Sequence, residues 1–318
     1  MPITAGALWT SNPAFQDREG EWWVLTTVGL YHFAATEDVA TLDQGRPAGR
    51  LYRPATVSKA IRSFTFSKIR KARLWISTRD PDPARWGLCT WDRSTGTFHY
   101  FSEADGFPSQ KAVSAFAEDQ NGSLWLGMVD GGVLRYAQGR FSEVAAGLAS
   151  SLVTAVHADR QGRIWIASSQ SGITIVNPNA AQLQFKNLTI SEGLTSNNIR
   201  SLAEDSHGNV YAGTARGVDR ISSDMARVTH YSIANGLAGD FVIAAFRDSR
   251  GTLWFGTPSG LSRLAPDERT AEAPAPIRLS GLRIAGESRP ISRAGQHADF
   301  ESRTIAWPEQ STDRFLRD

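Results

Sequence analysis

An aspartate followed six residues later by an aromatic ring recurs along the chain: Asp17 and Trp23, Asp119 and Trp125, Asp159 and Trp165, Asp205 and Tyr211, Asp248 and Trp254. Repeated acids could converge on a channel to hold a metal ion, or act as an acid and base pair roughly 5–10 Å apart as in a glycosidase. The spacing argues for a different use. Asp119-Gln-Asn-Gly-Ser-Leu-Trp125 and Asp248-Ser-Arg-Gly-Thr-Leu-Trp254 both place a glycine three residues after the acid. An Asp side chain can hydrogen-bond its own downstream backbone, and glycine takes positive φ without steric cost, so D-x-x-G is a tight turn between two strands. The ring that follows is then a wedge between packed sheets. Burying it removes roughly 150–250 Å² from water, of order 4–6 kcal/mol at ~25 cal/mol/Å². These residues are expected to build the fold, with no catalytic role for any of them.

Other chemistry is sparse. The six histidines, His32, His99, His157, His207, His230 and His297, are scattered, and no two share a strand at ligand spacing, so neither a metal nor any other cofactor is expected. No G-x-S-x-G elbow and no phosphate-cradling loop occurs. Glu118 and Glu204, each just before a turn Asp, are expected to be solvated. One group of residues goes beyond architecture. If each repeat forms a propeller blade, the turns between its second and third strands share a face with the loops that lead into the inner strands. That face would collect Arg79, Asp82, Arg85, Trp86, Asp130, Gln170, Asn197 and Arg216. Arginines grip carboxylates with two donors, and aromatic faces pack on sugar rings, so an oligosaccharide, an acidic sugar or another small ligand is the expected occupant.

The elements that position these residues repeat as well. The aromatics Trp23, Trp75, Trp125, Trp165, Tyr211 and Trp254 are separated by 52, 50, 40, 46 and 43 residues. A period in the 40s with strand-like content is the mark of a β-propeller with one four-stranded blade per repeat. In the third repeat the strands are expected at Val113–Glu118, Leu124–Gly127, Val133–Tyr136 and Arg140–Val144. Val113, Val153, Ile199 and Val242 each precede the turn Asp by six residues, and Ala115, Ala155, Ser201 and Ala244 follow two residues later. Small side chains at one depth suit crowded inner strands. The leading loops also repeat, as Gly106-Phe107, Gly147-Leu148, Gly193-Leu194 and Gly236-Leu237.

The fold class is therefore all-β: a propeller of about six blades, or seven in a parent protein, followed by a truncated β-sandwich segment. Residues 1–265 form the propeller, 266–276 an Ala/Pro/Glu-rich linker and 277–318 the unfinished sandwich. The first repeat has Pro13 where its inner strand belongs, so an incomplete opening blade is expected. Ala7-Leu8-Trp9-Thr10 could supply an outer strand missing from the last blade. The 318 residues are 41% hydrophobic and 21% charged, enough for a sizeable core. A net charge of +2 gives no case for nucleic acid or an anionic membrane. The single Cys89 excludes an internal disulfide, and neither a signal peptide nor a transmembrane run is visible.

The repeat D-x-x-G-x-[LIV]-W-[LIFV]-[GA]-[ST], with the preceding Ser196-Asn197-Asn198-Ile199, resembles the two-component regulator propeller repeat. Ala275-Pro-Ile-Arg-Leu-Ser-Gly-Leu-Arg-Ile-Ala-Gly-Glu287 resembles the start of the Y_Y_Y-type β-sandwich that follows such propellers. The resemblance implies a periplasmic or extracytoplasmic sensor region of a bacterial histidine kinase that senses a ligand and is not an enzyme. Contact with the membrane would come only through parts of a parent sensor, and no kinase segment is visible here. Two alternatives remain open: a propeller lyase or hydrolase working in the central channel, and an interaction scaffold that self-associates through the propeller or an edge blade.

Overall fold

The computed structural model describes residues 14–16, 20–26, 29–34, 49–52, 63–68, 73–79, 87–92, 94–144, 151–180, 182–264, 282–284 and 287–289. The chain divides into two units, Met1–Pro266 and Asp267–Asp318. Among the described residues the first unit holds six antiparallel sheets, each a meander in chain order. Sheet 1 comprises β1 (Ala14–Gln16), β2 (Trp22–Thr26), β3 (Gly29–Phe33) and β4 (Arg50–Tyr52). Sheet 2 comprises β5 (Ser63–Lys68), β6 (Arg73–Arg79), β7 (Gly87–Asp92) and β8 (Thr97–Phe101). Sheet 3 comprises β9 (Val113–Glu118), β10 (Leu124–Met128), β11 (Val133–Ala137) and β12 (Arg140–Glu143). Sheet 4 comprises β13 (Val153–Ala158), β14 (Ile164–Ser168), β15 (Ile173–Val176) and β16 (Phe185–Leu188). Sheet 5 comprises β17 (Ile199–Glu204), β18 (Val210–Thr214), β19 (Gly217–Ile221) and β20 (Val228–Tyr231). Sheet 6 has three strands among the described residues: β21 (Ala244–Arg247), β22 (Leu253–Thr257) and β23 (Gly260–Leu264). The second unit contains the hairpin of β24 (Leu282–Ile284) and β25 (Glu287–Arg289). The segment 266–276 lies outside the described residues.

Successive meanders packed face to face are a β-propeller, and the apolar interior is divided accordingly. Each of five buried clusters lies between one sheet and the next. In sheets 1 to 5 the repeated ring points to the next sheet. Trp23 packs with Leu74 and Trp91 of sheet 2, Trp75 with Val113 and Phe141 of sheet 3, and Trp125 with Val153 and Ile166 of sheet 4. Trp165 packs with Ile199 and Val210 of sheet 5, and Tyr211 with Val242 and Phe255 of sheet 6. The wedge expected from sequence is thus the observed packing. Trp254, in the last sheet, is half-buried, whereas Trp125 and Trp165 are fully buried.

The opening sheet has four strands among the described residues, and Pro13 lies outside them. The sheet short of a strand among the described residues is the sixth. The inner strands also depart from simple alternation. The register skips one residue between Val113 and Ala115, Val153 and Ala155, and Ile199 and Ser201. Each of these three inner strands therefore carries a bulge, which turns the extra residue out of the ladder. Ser114 and Thr154 use this to reach the next sheet, their hydroxyls donating to the carbonyls of Val153 (2.5 Å) and Ile199 (2.8 Å).

The leading loops are more ordered than their Gly-Phe and Gly-Leu pairs suggest. Before three of them the chain makes a single 3-10 turn, at Glu103–Asp105, Ile190–Glu192 and Ile233–Asn235. Each turn closes on a glycine in the left-handed region: Gly106 (φ 85), Gly193 (φ 104) and Gly236 (φ 96). The residue before the turn is Ser or Thr, and the third residue of the turn caps its backbone. Thr189 donates its N–H to Glu192 Oε2 at 2.7 Å and its hydroxyl to the same oxygen at 2.6 Å. This is a capping box. The Thr189 hydroxyl, then the Thr189 N–H, holds the Glu192 carboxyl below the usual carboxylate range. A lowered folded-state pKa stabilises above the unfolded value, and the contribution is lost as pH falls through the folded one. In a carboxyl chemical-shift titration, Glu192 is expected to protonate at lower pH than a glutamate in an unstructured peptide. Thr189→Val should move it back up; an unchanged midpoint would mean that the cap does not hold the charge.

Candidate ligand-binding face

Turns and leading loops meet on one face, as backbone hydrogen bonds show. Val129 donates to the carbonyl of Ala112, Ser169 to Leu152, and Ala215 to Asn198, at 3.0–3.1 Å. The β10–β11, β14–β15 and β18–β19 turns therefore sit beside the loops that lead into β9, β13 and β17. Asp130, at the first of these turns, is exposed and paired with Lys111 of the leading loop. Such a surface pair contributes little to stability. Gln170 is exposed on the second turn, with its N–H donating to Ser168 Oγ at 3.4 Å. Arg216 is exposed on the third, with its N–H donating to Thr214 Oγ1 at 2.9 Å. Asn197 has a different job. Its Oδ1 accepts from the N–H of Ile190 at 2.9 Å, and its carbonyl accepts from Gly172 of the preceding sheet. It fixes the loop and leaves its side-chain oxygen engaged. Arg79 ends β6, but its side chain, like residues Asp82, Arg85 and Trp86, lies outside the described residues.

The same face holds a group that the sequence reading missed. Arg200 stands at the bulge position where Ser114 and Thr154 stand in the two preceding sheets. Its guanidinium carbon lies 5.3 Å from the centroid of Phe241, a ring on the loop leading into sheet 6 and 38% exposed. Arg200 Nε, Asn198 Oδ1 and Ser201 Oγ are buried and without a protein hydrogen-bond partner. Buried polar atoms are normally paired, and exceptions call for an explanation such as an absent ligand or water. An arginine held on an aromatic ring beside unsatisfied polar atoms can take a carboxylate or a ring hydroxyl. The signal was present in the sequence: an arginine at the strand position that Ser114 and Thr154 hold in the two preceding repeats.

The repeated acids Asp119, Asp159, Asp205 and Asp248, by contrast, are engaged, and Asp17 lies outside the described residues. Asp159 Oδ1 accepts from the N–H groups of Gln161 (3.0 Å) and Arg163 (2.8 Å), and its Oδ2 from Trp165 Nε1 (2.7 Å) and Arg163 Nε (2.5 Å). Asp119 makes the equivalent bonds to Asn121, Ser123 and Trp125, and Asp248 those to Arg250, Thr252 and Trp254. In sheet 5 the phenol of Tyr211 reaches Asp205 Oδ2 at 3.2 Å, and Asn209 Nδ2 adds a bond at 2.7 Å. The six-residue spacing is thus itself functional: the acid turns the chain and also accepts the ring's polar hydrogen, so the wedge can be buried without an unpaired donor. Among the described residues no group of three or more His, Cys, Asp or Glu is arranged to hold a metal ion.

Glu204 overturns the expectation of solvation. It is 8% exposed, accepts from the Arg160 N–H at 3.1 Å and lies 3.3 Å from His157 Nε2, both in the preceding sheet. Its carboxylate ties sheet 5 to the turn of sheet 4.

Comparison with known proteins agrees with this architecture. Residues 147–170, 193–216 and 236–259 match the family described as two component regulator propeller. No curated protein is detectably similar in sequence. The extracellular domain named as that of a hybrid two component system from B. thetaiotaomicron superposes with a TM-score of 0.68 at 21% identity, over 88% of this chain and 38% of that one. The extracellular domain of a one component system from the same organism gives 0.56 at 19% identity, over 83% and 39%. Virginiamycin B lyase from Staphylococcus aureus gives 0.58 at 11% identity, over 81% and 84%. These likenesses are of fold, and the chain spans about two fifths of the sensor domains it matches.

Proposed function

We propose that this chain, whose blades carry the two component regulator propeller repeat, is an extracytoplasmic ligand-sensing module and not itself an enzyme. The observation that carries this reading is the division of labour between the two ends of the blades. The acids that could do chemistry are consumed by turns and wedges, while the opposite face offers Arg200 on Phe241 beside unpaired buried polar atoms. The ligand class that fits is a carbohydrate fragment bearing a carboxylate: the guanidinium takes the charge and the ring takes the sugar face. In an intact sensor, occupancy would bias the packing of sheets 5 and 6, since Arg200 lies in β17 and Phe241 on the loop leading into sheet 6.

Isothermal titration with a panel of neutral and uronate-containing oligosaccharides tests this. A uronate ligand is expected to bind, with Arg200→Ala and Phe241→Ala each weakening it by roughly tenfold or more, since charge-assisted bonds are worth about 1.5–3 kcal/mol. Neither the ligand nor ATP should be turned over. Release of a cleaved or eliminated product would establish the enzyme alternative, and binding indifferent to both substitutions would place the site elsewhere.

A further inference from the structure

Neighbouring sheets are joined by polar ties as well as by the wedge, and the ties differ from one interface to the next. Between sheets 3 and 4 the Ser114 hydroxyl donates to the Val153 carbonyl at 2.5 Å, and Gln120 Nε2 to the Arg160 carbonyl at 3.1 Å. Between sheets 4 and 5 the ties are denser. Thr154 donates to the Ile199 carbonyl at 2.8 Å, and Arg163 to the Ser223 carbonyl at 3.0 Å. Arg160 donates its N–H to Glu204 and its guanidinium to the Ser206 carbonyl, both at 3.1 Å.

The interface between sheets 5 and 6 is built differently. Residues 182–264, which carry both sheets, are described throughout, and among the described residues no side-chain hydrogen bond or ion pair crosses it. What crosses is a backbone bond, from the Val242 N–H to the Thr214 carbonyl at 3.0 Å. The two positions that carry ties elsewhere hold arginines. Arg200 stands where Ser114 and Thr154 stand, and Arg247 precedes its turn Asp as Glu204 does. The Nε of each is buried and has no hydrogen-bond partner. The apolar packing is weaker too. The wedge is Tyr211, smaller than the tryptophans of sheets 1 to 4. A cavity of about 60 Å³ lies between Val218 and Tyr231 of sheet 5 and Phe255 and Leu264 of sheet 6. Atoms lining a void forfeit dispersion contacts, and each missing bond lowers the cost of separating the sheets.

We infer that the interface between sheets 5 and 6 is where the propeller opens, and that a carboxylate bound on Arg200 and Phe241 holds it shut. The second half rests on the ligand reading proposed above. Arg200 belongs to β17 and Phe241 to the loop leading into sheet 6, so one ligand on both supplies the tie that a hydroxyl supplies in sheets 3 and 4. The ligand meets both groups only when the two sheets are together. It therefore binds the closed state better and shifts the population toward it. A tie that is permanent at two interfaces is conditional at this one.

Amide hydrogen exchange of the full chain, read by NMR, tests both halves. Val242 and Val113 head equivalent inner strands, and each N–H is bonded across an interface, Val242 to the Thr214 carbonyl and Val113 to Ser77 Oγ. In the free chain the Val242 amide is expected to be less protected than that of Val113 by roughly tenfold or more. Arg200→Thr, which offers the Val242 carbonyl the hydroxyl that Thr154 offers Ile199, should raise Val242 protection by roughly tenfold with no ligand present and leave Val113 unchanged. A disaccharide ending in glucuronate should protect Val242 in the unaltered chain and not in Arg200→Thr. Equal protection of the two amides, or no gain in Arg200→Thr, would overturn the opening at this interface. A uronate that binds without protecting Val242 would overturn its closing role. Failure of the uronate to bind would overturn that role together with the ligand reading, and the opening would stand or fall on the first two results.

Discussion

Asp159→Ala is expected to destabilise the propeller by about 3–5 kcal/mol, because it strands several buried partners at once. The Asp159 carboxylate is 3% exposed and receives two backbone N–H groups, the Trp165 indole and the Arg163 guanidinium. Without it, Trp165 keeps an indole N–H in an apolar cluster with nothing to donate to. Arg163, which also reaches the Ser223 carbonyl of the next sheet at 3.0 Å, loses its anion. Asp159→Asn should cost less, since its amide oxygen can still accept from the two backbone groups while the amide nitrogen confronts the indole. Asp248→Ala should cost least, because Asp248 and Trp254 are half-buried in the last sheet. Urea unfolding followed by far-UV dichroism and tryptophan fluorescence gives the ranking. A cost below about 1 kcal/mol for Asp159→Ala would reduce the residue to a turn former.

Gly127→Ala is expected to destabilise by about 1–3 kcal/mol, and Val153→Ala in the same chain to recover part of that loss. A Cβ on Gly127 would lie 2.3 Å from Val153 Cγ1 and 2.8 Å from its Cβ, and a β-branched side chain cannot swing clear. Val153, at the head of β13, is thus a plug for the sheet before it. Val242 fills the same role over Gly213, at 2.7 Å from an added Cβ. Where sheet 2 carries Ser77 instead of glycine, the hydroxyl accepts the Val113 N–H at 2.8 Å. Val153→Ala alone should cost about 1–3 kcal/mol through the void it leaves. Additive costs in the double variant would refute the pairing of plug and socket.

The period and the turn chemistry made the strands of the third repeat legible almost to the residue, because D-x-x-G and the alternating strands are local rules. What stayed hidden depends on contacts between repeats. That Asp159 accepts from Trp165 could have been read from the constant spacing of six, but only a register places the two atoms 2.7 Å apart. Burial of Glu204 follows from His157 and Arg160 of the neighbouring sheet, to which nothing around Glu204 in the sequence refers. The candidate site was legible in location and less so in membership. The turns carrying Asp130, Gln170 and Arg216 lie on the expected face, while Asn197 is spent on its own loop and Arg200 was concealed by a bulge. The 3-10 turns were written as S/T-x-x-D/E/N-G, a signal that only its final glycine made conspicuous.

Cys89 turns the divided interior into something measurable. The thiol is 1% exposed in the cluster between sheets 1 and 2, and burial pushes its pKa up to about 12. At neutral pH it is neither ionised nor reachable, so an alkylating reagent can label it only while that one seam is parted. Because the chain has a single sulfhydryl, the labelling rate is a clock for one joint of the wheel. With neighbour-to-neighbour stabilisation, loosening a distant joint should leave that clock running at its own pace.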